Sequence, residues 1–245
     1  MLYILTITLD DLRGLRSTIE SLDQFYCDQA VVHIIKNGRF GDRSSELART
    51  YNAFNQNRQT ILIEQDDISI YDAMNQALAY VPENSWFVFL NSGDLLSGTL
   101  SLDHLSSCFL VSAFFPMGEN SSKYVPIRVK QGYFNGMPFC HQSLFMKRNN
   151  RMSFSLRYPI SADYMFVLQY VRPLYPESPQ NIPVHPNARV IYDATGISST
   201  KKIARDYQAL QIIWRTSKLT SLFNFIFSRL LALPKYLTYL FRASV

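Results

Sequence analysis

The 245-residue chain has little cysteine, and its three residues, Cys27, Cys108 and Cys140, are odd in number and far apart. No disulfide framework or zinc-ligand spacing follows from them, which leaves reduced, mostly buried thiols of the kind a cytosolic protein keeps. No apolar run approaches the roughly 18 residues of a membrane span. The opening Met1-Leu-Tyr-Ile-Leu-Thr-Ile-Thr8 has no basic leader and is too short for a signal core, so it reads as a first buried strand. There is no internal repeat or low-complexity linker. At 47% hydrophobic and 18% charged residues the composition excludes a disordered chain. Acids are missing from the end: nothing acidic follows Asp206, whereas Arg215, Lys218, Arg229, Lys235 and Arg242 do. Setting those five aside leaves the remaining bases equal to the 19 acids, so the whole net charge of +5 lies in the C-terminal segment. A nucleic-acid groove would spread its bases through the fold, so nucleic acid is not an expected partner.

What is present is a regular alternation. Leu2–Thr8, Val31–Ile35, Thr60–Glu64 and Ser85–Leu90 read as apolar, β-branched strands. Between them Asp11–Phe25, Asp42–Phe54 and Ile70–Val81 read as helices, with a turn at Asn37-Gly38. Continuous apolar strands separated by helices predict a mostly parallel sheet covered on both faces, an α/β fold. Beyond residue 99 the pattern loosens. Cys108–Pro116 and Tyr124–Val129 are β-rich, Ile160–Val171 and Ser199–Trp214 read as helices, and Ile182–Tyr192 as strands. In open sheets of this class ligands bind beyond the carboxyl ends of the strands. Thr8–Asp11, Lys36–Arg43, Gln65–Ser69 and Asn91–Asp94 are the segments placed there.

Asp94 closes the fourth strand after Ser92-Gly93, which lets the backbone approach a ligand closely. A carboxylate there can ligate Mg²⁺ or Mn²⁺, hard cations that neutralise a leaving pyrophosphate, or it can simply end a turn as a helix N-cap. Ser69 and Asp72 form a capping-box-like start to the third helix, an account that leaves Asp67 unexplained. Asp72 and Asn75 fall opposite that helix's apolar stripe and face either solvent or ligand. His141-Gln142 lies in an otherwise apolar segment and suits a satisfied core histidine as well as a catalyst. Asp163 opens an apolar helix, where Ser161 is placed to cap; Asp163 serves either the helix dipole or as a general base.

Taken in order, several of these segments resemble the family 2 glycosyltransferases, in particular the branch of bacterial exopolysaccharide, O-antigen and colanic-acid type. The carriers are Leu5-Thr-Ile-Thr8, Ile34-Ile-Lys-Asn-Gly38, Glu64–Asn75, Phe89-Leu-Asn-Ser-Gly-Asp94, Cys140-His-Gln-Ser143, Ser161-Ala-Asp163 and Gly196-Ile-Ser198. Ile70-Tyr-Asp-Ala-Met-Asn75 paired with Phe89–Asp94 is the specific part, and the likeness spans roughly residues 1–215. The resemblance implies a GT-A fold with a nucleotide-sugar-binding half (1–98) and an acceptor-binding half (99–217). It further implies a divalent metal, Mg²⁺ or Mn²⁺, and inversion at the anomeric carbon. By position, Asp94 matches the metal and diphosphate residue and Asp163 the general base. His141 and Gln142 match a pair lining the cleft, and Asn37 and Asp67 the nucleoside pocket. Thr8, Asp72, Asn75 and Asn91 complete the candidate donor-binding set. The chain departs from the family pattern at Asn37 (usually Asp), at Arg39-Phe-Gly-Asp42 (usually Ser-x-Asp), and at Ser69 and Ala77 (usually Gly), which implies a diverged donor pocket.

Residues 218–245 interleave Leu, Ile, Phe and Tyr with the terminal bases, with Pro234 as an interruption, and fit an amphipathic interfacial tail on an anionic leaflet. The alternative is a helix pair docked on the domain or an oligomer contact. The expected activity is transfer of a sugar from a UDP-, GDP- or dTDP-sugar to a hydroxyl of a polyprenyl-diphosphate-linked glycan, at the cytoplasmic face of the membrane. Two rivals stand beside it. A sugar-phosphate nucleotidyltransferase would need a Gly-rich basic loop that Thr8-Leu-Asp-Asp-Leu-Arg-Gly14 does not supply. A non-catalytic sugar-nucleotide-binding or scaffold relative would tolerate Asn37, Ser69 and Ala77.

Overall fold

The protein is described here from a computed structural model covering residues 1–38, 43–54 (backbone alone at 52–54), 59–103, 105, 107–116, 124–193, 201–217 and 226. Alternation along strand β1 (Leu2–Thr8) sends Tyr3, Leu5 and Ile7 to one face of the sheet and Leu2 and Ile4 to the other, and all five are buried. β1 pairs in parallel with β3 (Val31–Asn37) on one side and β5 (Trp86–Phe89) on the other, and β3 pairs in parallel with β4 (Gln59–Glu64). Helices α1 (Leu12–Ser21), α2 (Arg43–Phe54) and α3 (Ile70–Leu78) make the crossovers. Both faces of the sheet are therefore covered, and the strands of this half are rich in apolar residues on both faces.

The sheet has ten strands, in the order β2-β6-β10-β7-β9-β5-β1-β3-β4, with β8 paired off the path to β7. The added members are β2 (Phe25–Cys27), β6 (Leu95–Leu100), β7 (Cys108–Pro116), β8 (Tyr124–Pro126), β9 (Leu144–Lys147) and β10 (Val184–Ile191). β9 is antiparallel to both β5 and β7, and β10 is parallel to β7. It follows that β1, β3, β4, β5, β7 and β10 all end at the same edge. The chain goes from β1 outward to β3 and β4, then returns to β5 on β1's other side, which makes that edge the topological switch point.

Two further helical segments pack on the sheet: α4 (Ala162–Phe166), continued by a π turn at Val167–Val171, and α5 (Lys202–Thr216). A stacked column of Tyr71, Phe154 and Phe166 ties α3 to α4, with ring centroids 5.6 and 4.6 Å apart.

Several boundaries differ from the sequence expectation. The first helix stops at Ser21 and passes through a 3₁₀ turn, because Phe25 begins a short strand beside β6. The third helix ends at Leu78 rather than Val81. Ile160 and Ser161 precede α4 instead of opening it, and Ser161 does not cap it; its hydroxyl donates to the Arg205 carbonyl at 3.3 Å. β6 was not anticipated, since Leu95–Leu100 carries Gly98 at φ +99° where the strand meets Asn187 backbone at close range. Arg39–Asp42, Gly196–Ser198, the start of the last helix at Ser199 and the tail 218–245 (apart from 226) lie outside the described residues.

Candidate functional site

The loop that follows β5 is the most heavily tied segment of the switch-point edge. Ser92 N donates to Ile7 O at 3.0 Å, and Gly93 N donates to the Thr18 hydroxyl at 3.0 Å. That hydroxyl donates in turn to Asp94 O at 2.9 Å. Asp11 caps α1 through Gly14 N at 2.9 Å, and its other oxygen accepts from the Ser92 hydroxyl at 2.8 Å. Asp10, just before it, sits at φ +52°, a left-handed conformation that aspartate tolerates. Gly93 takes φ +94°, and a Cβ there would come within 3.1 Å of Asp193 Oδ2. Side chains on α1 thus hold the Asn91–Asp94 loop against the end of β1.

Asp94 itself turns inward. It is 2% exposed, its Oδ2 accepts from Asn91 N at 3.1 Å, and its Oδ1 accepts from Asp193 N at 2.9 Å. The Gln142 side chain also hydrogen-bonds it. Burial pushes the Asp94 carboxyl up to about 7. The two backbone donors pull against that shift, and the neighbouring Asp193 charge adds to it. Asp193 closes β10 as Asp94 closes β5, and it stands beside Gly93 in a half-buried position. Sequence reading did not single out Asp193. The signal was available: Asp193 is an acid just past the carboxyl end of an apolar run, as Asp94 is.

These carboxylates bear on the divalent metal. No group of three or more His, Cys, Asp or Glu is placed to hold an ion among the described residues. Mg²⁺ and Mn²⁺ bound with a diphosphate, however, take one or two protein carboxylates and fill the rest of the shell with phosphate oxygens and water. The Asp94–Asp193 pair fits that share, with hard oxygen donors and mutual repulsion that a cation would relieve.

The second centre lies beside α4. Asp163 Oδ1 accepts from the Tyr71 hydroxyl at 3.1 Å and from Tyr164 N at 2.8 Å, while Oδ2 lies 3.4 Å from His141 Nδ1. Tyr71 also donates to Ile160 O at 3.0 Å. Burial pushes the His141 imidazole below its usual range, opposed by Asp163, so the ring is neutral at pH 7. Its Nε2 is buried without a partner among the described residues, as are Thr8 Oγ1 and Asn91 Oδ1 at the strand ends. Orphaned polar atoms of this kind are rare in folded chains and mark places that await a partner. A cavity of about 330 Å³ opens here, lined by His141, Gln142, Ser161, Asp163, Tyr192 and Arg205 among others. Gln142 lines this cavity too: its Oε1 accepts from Cys140 Sγ at 3.1 Å, and its side chain hydrogen-bonds Asp94.

The remaining candidates divide. Asp67 lies at the same edge, held by Lys36, which is 0% exposed. The Lys36 ammonium contacts Asp67 Oδ2 at 2.8 Å, Gln65 O at 2.7 Å and Asn37 O at 3.0 Å. Gly38 lies close beside it: a Cβ there would come within 2.9 Å of Asp67 Oδ2. Asn37 is buried, and its amide donates to the Ser45 hydroxyl at 2.8 Å. Asp72 and Asn75 are engaged by the protein itself. Ser69 caps α3 through Asp72 N at 3.2 Å, and Asp72 accepts from Ile68 N at 3.1 Å. Asn75 mimics a strand partner: its amide donates to Phe154 O at 2.9 Å while Phe154 N donates to its oxygen at 2.7 Å. Lys36 and Tyr71, both engaged with candidate site residues, were missed because each sits in an apolar run that reads as core.

No family model matches the chain, and no curated protein matches it in sequence. Solved structures do match in fold. S. aureus TarS 1-349 in complex with UDP-GlcNAc aligns at TM-score 0.57 and 12% identity over 92% of this chain and 71% of that one. The mannosyltransferase PcManGT from Pyrobaculum calidifontis, in complex with GDP-Man and Mn²⁺, aligns at TM-score 0.51 and 11% identity over 97% and 82%. The chain therefore has the expected GT-A-type fold, a mostly parallel sheet flanked by helices.

Proposed function

We propose that the chain transfers a sugar from a nucleotide diphosphate sugar to a hydroxyl of a glycan, as an inverting enzyme of the family 2 type. The observation that carries this reading is the presence of two unlike acidic centres, one at the carboxyl ends of the parallel strands and one in the cavity lined by His141, Gln142 and Asp163. The first is the Asp94–Asp193 pair and the second the Asp163–His141 pair, and Gln142 both lines the cavity and hydrogen-bonds Asp94. The neighbours with UDP-GlcNAc and with GDP-Man and Mn²⁺ support a nucleotide-sugar donor.

In this reading the nucleoside lies over the ends of β1, β3 and β4, near Thr8, Asn37 and Asp67, and the diphosphate over the Asn91–Asp94 loop. Asp193 and Asp94 would hold Mg²⁺ or Mn²⁺, which when bound neutralises the departing diphosphate. The acceptor hydroxyl enters the cavity at Asp163. Oδ1 is committed to Tyr71 and Tyr164, so Oδ2 takes the hydroxyl proton. The acceptor oxygen bonds to the anomeric carbon as the bond to the diphosphate oxygen breaks. A single displacement inverts that carbon and releases the nucleoside diphosphate. Neutral His141 orients Asp163 and leaves its charge uncompensated for the proton transfer. We further propose a lipid-linked acceptor and a place at the cytoplasmic face of a bacterial membrane, in surface polysaccharide synthesis; the basic, aromatic composition of 218–245 supports that. Nucleoside diphosphate release from a panel of UDP-, GDP- and dTDP-sugars tests the reading. One donor should be turned over by the wild type and not by Asp163→Asn; turnover of none would overturn it.

A further inference from the structure

Helix α5 has two faces. Inward, Ala209, Ile212 and Ile213 are buried in the core, and Gln208 Oε1 accepts from Ile160 N at 3.0 Å and Ser161 N at 3.1 Å, just before the helix that carries Asp163. Outward, Ile203, Tyr207 and Trp214 recur at spacings of four and seven, which sets them in one stripe, while half-buried Leu210 beside them packs against the core. Ile203 is 89% exposed and Tyr207 and Trp214 are each 63% exposed. An amphipathic helix normally buries such a stripe, and this one presents it to solvent. The stripe is bordered by Arg157 and Arg215, which line a surface groove with Tyr207, Leu210 and Trp214. Lys201 and Lys202 stand exposed at the helix start, and the helix's one acid, Asp206, is paired with Arg205.

We infer that this outer face of α5 docks on an anionic lipid surface. Tyr and Trp amid an apolar stripe with basic flanks match the side chains that settle at a membrane interface. The chain that continues from α5 holds no acid and adds Lys218, Arg229, Lys235 and Arg242, so charge complementarity extends past the helix. The exposed stripe comprises three side chains of a single helix, whereas a stable protein partner takes about 20–30 residues a side. Docking here has a consequence for the reaction. Arg205, Asp206 and Ala209 of the same helix line the cavity that holds Asp163, so an acceptor anchored in the leaflet would enter beside its own anchor plane. This extends the membrane part of the proposed function and does not depend on the transfer chemistry.

Trp214 provides the readout, because the other tryptophan, Trp86, is only 4% exposed. The full-length Trp86→Phe chain is titrated with vesicles of phosphatidylglycerol and phosphatidylcholine, and with phosphatidylcholine alone. Trp214 emission should shift to the blue with the anionic vesicles only, and high salt should reverse the shift. Ile203→Glu combined with Tyr207→Glu should cut the vesicle-bound fraction about 10-fold in co-sedimentation. Should Trp86→Phe fail to fold, the wild-type chain gives the same readout, with Trp86 as a constant background. Co-sedimentation with an unshifted Trp214 would place the contact elsewhere and overturn the inference. So would a lipid-free, concentration-dependent shift accompanied by dimeric mass, or a failure to sediment with anionic vesicles. None of these readouts requires donor turnover, so the inference and the transfer reading fail separately.

Discussion

The Tyr71 hydroxyl donates to Asp163 Oδ1 at 3.1 Å, joining the first turn of α3 to the acid that opens α4. Burial and the Asp163 charge hold the Tyr71 phenol well above its ordinary range, so it stays a donor at any working pH. Tyr71→Phe keeps the ring stack on Phe154 and removes one charge-assisted hydrogen bond. Its kcat should fall about 10-fold with donor KM unchanged. A KM effect with kcat intact would show that Tyr71 serves the donor pocket instead.

Asp163→Asn should cost roughly 10²- to 10⁴-fold in kcat, the span of a lost general base. Nucleotide affinity, measured by calorimetry, should not change, because in the proposed reading Asp163 meets the acceptor rather than the nucleotide.

Asn75→Ala distinguishes a donor ligand from a structural clasp. Its two hydrogen bonds to the Phe154 backbone predict a loss of about 1–3 kcal/mol in stability from the unsatisfied backbone groups. Urea unfolding reads that loss, and nucleotide affinity should be retained in the folded fraction.

Asp94 sets a pH dependence. Its carboxyl titrates at about 7 in the folded chain and near 3.8 when unfolded, so between those values the native state binds the extra proton. This group's contribution is therefore fully present below about pH 4, falls as pH rises, and is lost above about 7. The difference in unfolding free energy between wild type and Asp94→Asn should shrink by a few kcal/mol from pH 4 to pH 8. A difference that is flat with pH would contradict the assigned burial.

Lys36 is a fully buried cation at the carboxyl end of β3. Lys36→Met leaves Asp67 without its partner and should cost about 3–5 kcal/mol of stability, with weaker nucleotide binding in the protein that still folds. Lys36→Arg should restore part of the stability.

Much of this architecture is legible in the chain itself. β1, β3, β4 and β5 are runs whose apolar residues fill both faces, so strand type and parallel order follow from composition and spacing alone. The strands beyond Asp94 are harder, because their pairing is long-range. β9 inserts between β5 and β7, and β10 between β6 and β7, arrangements that no local pattern encodes. At the candidate site, sequence puts Asp67 and Asp94 beyond strand ends and Asp163 at a helix start, yet cannot say which way a carboxylate turns. Asp94 turns to backbone amides and Asn75 to Phe154, while Asp193, in a less regular half of the chain, comes to stand beside Gly93. The motif Ile70-Tyr-Asp-Ala-Met-Asn75 stands out in sequence, and in the structure its polar groups brace the framework: Asp72 the start of α3, Asn75 the Phe154 strand mimic, Tyr71 the base.

The measurement that tests the central claim most directly is the thermal stability of the chain with UDP, GDP and dTDP, with and without Mn²⁺, in the wild type and in Asp193→Ala. The account predicts that one nucleotide raises the Tm, that Mn²⁺ enlarges the shift, and that Asp193→Ala loses the Mn²⁺-dependent part while keeping its own fold. A folded wild type that no nucleotide stabilises, with or without Mn²⁺, would contradict it.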